Sequence, residues 1–168
     1  MEPRFEGTTV PDPGFAGDEG VADPALVEAL AAYAGAPDDP ATYAAALTAL
    51  ASSRLLVPVV AILGDSEVDE AGLTHDKSSE MAAVLLTGRD GRQALLAFTG
   101  LNALSRWRGD ARPVPVTARD AGRSALAEGA DALMVDLAGP VPLAVEGRLL
   151  RALAGTPPEL GDQGADLR

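Results

Sequence analysis

The residues best suited to chemistry lie in one short stretch: Arg106, Trp107, Arg108, Asp110 and Arg112. It gathers three arginines around the only tryptophan of the chain. A guanidinium presents a fork of N–H donors that matches a carboxylate or a phosphate, and it can stack on an indole face. Trp and Arg are also enriched at the energetic centres of protein interfaces. Two functions follow from these residue types, capture of a small anion or anchoring of a protein partner along the Trp107–Arg112 edge. A structural role competes with both, in which Trp107 closes a helix face against a sheet and the arginine stems lie over it. Phe98 and Thr99, at a strand end leading into the same helix, should sit close by, so the candidate binding set is Phe98, Thr99, Arg106, Trp107, Arg108 and Arg112. The N-terminus of a helix starting there could hold a small anion.

Elsewhere the reactive groups do not converge. His75 is the only histidine, and a nucleophile–base–acid triad would draw it together with Ser66, Ser78 or Ser79 and Asp65 or Asp76. No G-x-S-x-G turn presents any of these serines. Asp65, Glu67, Asp69 and Asp76 fall on the first, third, fifth and twelfth positions of a calcium loop, but Glu70 replaces the glycine that the sharp turn needs. Gly14, Gly17 and Gly20 follow no strand and make no dinucleotide fingerprint. Asp136 closes an apolar run, where α/β proteins place functional carboxylates; it could equally cap the turn that follows. No catalytic residue, metal site or cofactor is therefore assigned. A hydrolase using Asp136 or His75 is the least supported function.

The elements that position these residues can be read from pattern. Asp23-Pro24 and Asp39-Pro40 each open a helix, with the Asp capping free amides and the Pro in the first turn. Leu26, Leu30 and Tyr33 form the apolar stripe of the first helix, and Tyr43, Leu47 and Leu50 that of the second. Leu55 to Leu63 is a continuous apolar run of strand length, with Pro58 arguing for an edge position or a bulge. Met81–Leu86 and Gln93–Phe98 flank a glycine-containing turn and predict an antiparallel hairpin. Thr99 should cap a short helix carrying Leu101, Leu104 and Trp107. Pro113–Val116 is extended, and Thr117 and Asp120 open a helix that Gly129 ends in a left-handed turn. Ala132–Val135 and Val141–Val145 are strands, and a last helix turns Leu149, Leu150 and Leu153 to the core. The expected fold is α/β in the α+β sense: a mixed sheet of about five strands with a central antiparallel hairpin, covered by helices.

Composition limits the rest. Residues 1–22 and 156–168 are rich in Gly, Pro and acid, which predicts a flexible arm and tail around a domain at 23–155. The net charge of −12 repels phosphate backbones, so no nucleic-acid partner is expected. There is no cysteine, which excludes disulfides and thiol catalysis and fits a reducing cytoplasm. No apolar stretch reaches the roughly 18 residues a membrane span needs, and the N-terminus has no signal-peptide pattern. A soluble, cytoplasmic protein with no membrane partner is expected.

The segments DPATYAAALTALASSRLLVPVV, MAAVLLTGRDGRQALLAFTGLNALSRW, ARPVPV and ADALMVDLAGPVPL, in this order, resemble the actinobacterial form of the SseB (enhanced serine sensitivity protein B) N-terminal domain. The resemblance spans about residues 23–155. It implies a small cytosolic α/β domain, carries no catalytic residues across, and leaves the biochemical role undefined. Proteobacterial members carry a second, C-terminal domain, which this chain is expected to lack. Two functions lead: a non-catalytic interaction or regulatory domain, and a sensor for an amino acid or another small carboxylate.

Overall fold

The computed structural model describes residues 14–62, 80–139 and 142–156. The first two helices, α1 (Pro24–Gly35) and α2 (Pro40–Ala51), begin as their sequences require. Asp23 accepts from the Ala25 N–H at 2.9 Å and Asp39 from the Ala41 N–H at 2.9 Å. Such a cap is worth about 1 kcal/mol. Leu26, Ala46 and Leu50 are buried, and the Tyr33 and Tyr43 rings meet between the helices with centroids 5.6 Å apart.

The chain continues as β1 (Arg54–Ile62), β2 (Glu80–Ala83), β3 (Leu85–Thr87), β4 (Gln93–Ala97), α3 (Leu101–Trp107), β5 (Arg112–Thr117), α4 (Ala118–Ala127), β6 (Ala132–Val135), β7 (Leu143–Glu146) and α5 (Gly147–Ala154). Two sheets form, ordered β2-β1-β5 and β3-β4-β6-β7. The first is antiparallel, and the second is mixed because β4 and β6 run parallel. The expected class is borne out, including the antiparallel β3–β4 hairpin. The strand count differs: the described residues hold seven strands in two sheets. The run from Met81 to Leu86 divides at Val84, whose N–H turns to Pro58 O (3.3 Å) while its carbonyl accepts from Leu96 (3.1 Å). One extended segment thus serves both sheets. Leu56 and Phe98 exchange both backbone hydrogen bonds at 2.8 Å and close the seam from the other side.

Both faces of the inner strands β1, β4 and β6 are covered, which is why their sequences are nearly continuous apolar runs. Leu55, Leu95, Leu133, Val135 and Val145 point to one side, into a core with Leu26, Leu50 and Leu150 from the helices. Leu56, Leu96 and Phe98 point to the other, where Leu104 of α3 covers them and Trp107 packs alongside. The one-residue offset between these sets is the alternation of a strand.

Pro58 does not mark an edge. Strand β1 is central in its sheet, between β2 and β5. Because Leu56 directs its backbone groups at Phe98, its pairing with Pro115 exchanges no bonds, and neither does the pairing of Pro58 with Pro113 two residues on. The missing Pro58 donor therefore falls at the seam, where β1 passes from β4 to β2. Pro113 and Pro115 direct their donor-less nitrogens to the open edge of β5, a placement that discourages further strand addition.

One helix expectation is adjusted and another holds. Leu150 is buried and Leu153 packs on the core, but Leu149 is 45% exposed. Helix α4 starts with the Asp120 N–H donating to Thr117 Oγ1 at 3.0 Å, and Gly129 is left-handed (φ 71°) as expected. Within the described part of the expected arm, residues 18–22 pack on the fold and are not free chain. Arg54 donates to Val21 O (2.6 Å), Asp18 Oδ1 (3.1 Å) and Thr99 O (3.0 Å), and Leu101 donates to Gly20 O (2.8 Å). Residues 1–13, the acidic loop 64–79 and the tail from 157 on lie outside the described residues.

Candidate functional site

The joint between β4 and α3 brings the site together. Phe98 is fully buried at the strand end, and the Trp107 ring stacks on it with centroids 5.4 Å apart and planes inclined by 30°. Arg108 lies 5.9 Å from the centre of the Trp107 ring and pairs with Asp110 at 3.2 Å. Trp107 is half-buried, in the strut-like arrangement that competes with an interface role. Arg112 is exposed at the start of β5. The six sequence-derived residues therefore divide: Phe98, Trp107 and Arg108 form one packed stack, while Thr99 and Arg106 line a cleft that the stack does not enter.

Thr99 does not cap α3. The N-cap is Gly100, without a side-chain bond, and Thr99 is turned to Asp136 instead. Its N–H donates to Asp136 Oδ1 (2.8 Å) and its hydroxyl to Oδ2 (2.7 Å). Asp136 in turn donates its N–H to Ala97 O (3.0 Å) and accepts from the Gly139 N–H (2.8 Å). This carboxylate thus neither caps the following turn nor stands free; it ties the end of β6 to the end of β4. It does so with a left-handed backbone, φ 53°, the one positive φ outside glycine among the described residues. Burial pushes its pKa above the ordinary carboxylate range, while the two Thr99 hydrogen bonds and the Arg106 charge pull the other way. With Thr99 N–H and Leu101 N–H both occupied, the start of α3 offers no anion site at those donors.

Beside this joint lies a cleft of about 620 Å³. One wall is α1, through Val27, Leu30, Ala31 and Ala34; the other is Leu101 and Ala103 of α3. Segment 19–22 runs along it, and Arg106, Asp136 and Glu19 supply its charges. Three of the six exposed large apolar residues among the described residues, Val21, Val27 and Leu101 at 70%, 48% and 39%, belong to this one cleft. Segment 19–22 is pressed close to α3: a Cβ on Gly100 would stand 2.8 Å from Gly20 O and 2.9 Å from Ala22 N. Only glycine fits that approach.

Among the described residues no group of three His, Cys, Asp or Glu side chains could hold a metal ion, and no helix is long and apolar enough to cross a membrane. His75 and the calcium-like positions Asp65, Glu67, Asp69 and Asp76 lie outside those residues. The α1 wall was missed in the sequence although a signal was present. Val27, Ala31 and Ala34 follow i, i+4, i+7, a second apolar stripe beside Leu26, Leu30 and Tyr33. A helix apolar on two faces has a second surface to cover.

Residues 26–152 match the family model described as the SseB protein N-terminal domain. No curated protein and no solved structure matches the chain.

Proposed function

The chain belongs to the SseB N-terminal-domain family, and from that premise we propose that it is a non-catalytic, cytoplasmic binding domain whose receptor site is the cleft between α1 and α3. The observation that carries this reading is the cleft itself. Its volume of about 620 Å³ falls in the range of small-ligand pockets. It gathers the exposed Val21, Val27 and Leu101 beside a small set of charged groups. That combination of apolar walls and few polar groups is the usual composition of a ligand site. The sensor reading gains on the protein-anchor reading, because the indole expected to anchor a partner is already stacked on Phe98. The non-catalytic part rests on Asp136, the one acid at the cleft's inner end, whose two oxygens are taken up by Thr99.

The test is a fragment screen by ¹H–¹⁵N NMR on the full chain, using aliphatic and aromatic fragments that are neutral, anionic or cationic. Binders should shift the amides of residues 19–22, α1 and 100–103 together. Ala31→Phe, at an exposed position of the α1 wall, should remove those shifts and leave the sheet amides in place. Shifts confined to other surfaces, or none from any fragment, would discard the proposal.

A further inference from the structure

We infer that the cleft selects small amphipathic carboxylates, with the acid group held by Arg106 and the apolar body laid along α1; this rests on the binding reading above and adds the chemical class of the ligand. Arg106 is exposed at the cleft and makes no ion pair or hydrogen bond among the described residues. Its neighbour Arg108 is matched by Asp110, and Arg54 by Asp18. Arg106 thus keeps all five guanidinium N–H donors available in a planar fork, the geometry that receives a carboxylate through two parallel bonds.

The acids of the cleft do not take this role from a ligand. Asp136 attracts Arg106 through space but forms no ion pair with it, and each of its oxygens is held by a Thr99 donor. Glu19 is exposed and has no bond to Arg106. The chain as a whole is strongly acidic at −12. Beyond about 8 Å at physiological salt, however, that charge is screened, and the nearest group sets the local preference. The apolar part of the ligand is specified by Val27, Leu30, Ala31 and Ala34, which add no hydrogen-bonding side chain along the α1 wall. A purely polar acid would leave that wall unused, and a long protein segment exceeds the volume.

The experiment titrates the ¹⁵N-labelled full chain with sodium octanoate and, separately, with octylammonium chloride, which has the same chain length and the opposite charge. Octanoate should shift the cleft amides and bind at least about tenfold more tightly than octylammonium. Arg106→Ala should weaken octanoate by about tenfold or more, as loss of a charge-assisted bond predicts. Arg106→Lys should recover part of that loss. Position 106 is exposed, so unshifted sheet amides will show that both variants fold. Equal binding of the two probes, or octanoate binding indifferent to Arg106→Ala, would overturn the carboxylate assignment and leave the cleft a binding site. Failure of both probes and of the neutral fragments to perturb the cleft would overturn this inference and the binding reading together.

Discussion

Asp136 carries an uncommon combination: a left-handed backbone and a carboxylate that satisfies both donors of a nearly buried threonine, Thr99 at 4% exposure. A left-handed conformation costs a non-glycine residue about 1–3 kcal/mol, and Asp and Asn bear it best. Asp136→Ala keeps the strain and leaves two buried donors without acceptors, so it should destabilise the fold by about 2–4 kcal/mol in urea unfolding. Asp136→Asn tolerates the same backbone and still offers one acceptor, and it should cost less than half as much. Equal losses for the two would show that the side-chain bonds contribute little. The same residue predicts a pH dependence. Its folded pKa is raised, so the folded state keeps this proton to higher pH than the unfolded chain does. Its contribution to stability is therefore greatest below the ordinary carboxylate pKa and falls as pH rises through the raised value. Asp136→Asn should flatten that part of the stability curve, measured as the urea midpoint against pH. The sequence exposed Asp136 as a strand-end carboxylate and Thr99 as a cap, both by local rules. Their pairing across 37 positions belongs to the parallel register of β4 and β6, which no local pattern displays.

Elements that depend on their own few residues were legible. The caps at Asp23, Asp39 and Thr117 and the glycine after α4 stand where their types predict, because each answers to amides within one turn. The packing of residues 18–22 was not legible, because it depends on Arg54, 33 positions beyond Val21. A Gly- and acid-rich stretch looks mobile when judged on composition alone, and its order here comes from a side chain in another element. Arg54→Met keeps the stem and removes the three donated bonds. It should release segment 18–22 and raise hydrogen exchange at the Leu101 amide, whose acceptor is Gly20 O, by tenfold or more. Amides of β4 and β6 should keep their protection. An unchanged Leu101 exchange rate would mean that other contacts hold the segment.

On the scale of the whole molecule, backbone hydrogen bonds join the two sheets. Val84 bonds to Pro58 on one side and Leu96 on the other, while Leu56 and Phe98 lock β1 to β4. The apolar runs announced strands buried on both faces, and that expectation held; the division into two sheets did not show, since it is decided by where one extended segment changes partners. The order of these partners along the chain has a consequence for synthesis. Strand β1 leaves the ribosome before every strand that will pair with it: β2 begins at Glu80, Phe98 follows β4, and β5 ends at Thr117. Until β2 is made, LLVPVV is a nascent apolar segment with no strand beside it, the kind of stretch that aggregates or recruits a chaperone. Pro58 sits at its centre, and by withholding one amide it blunts pairing between unfinished chains, as a gatekeeper residue does.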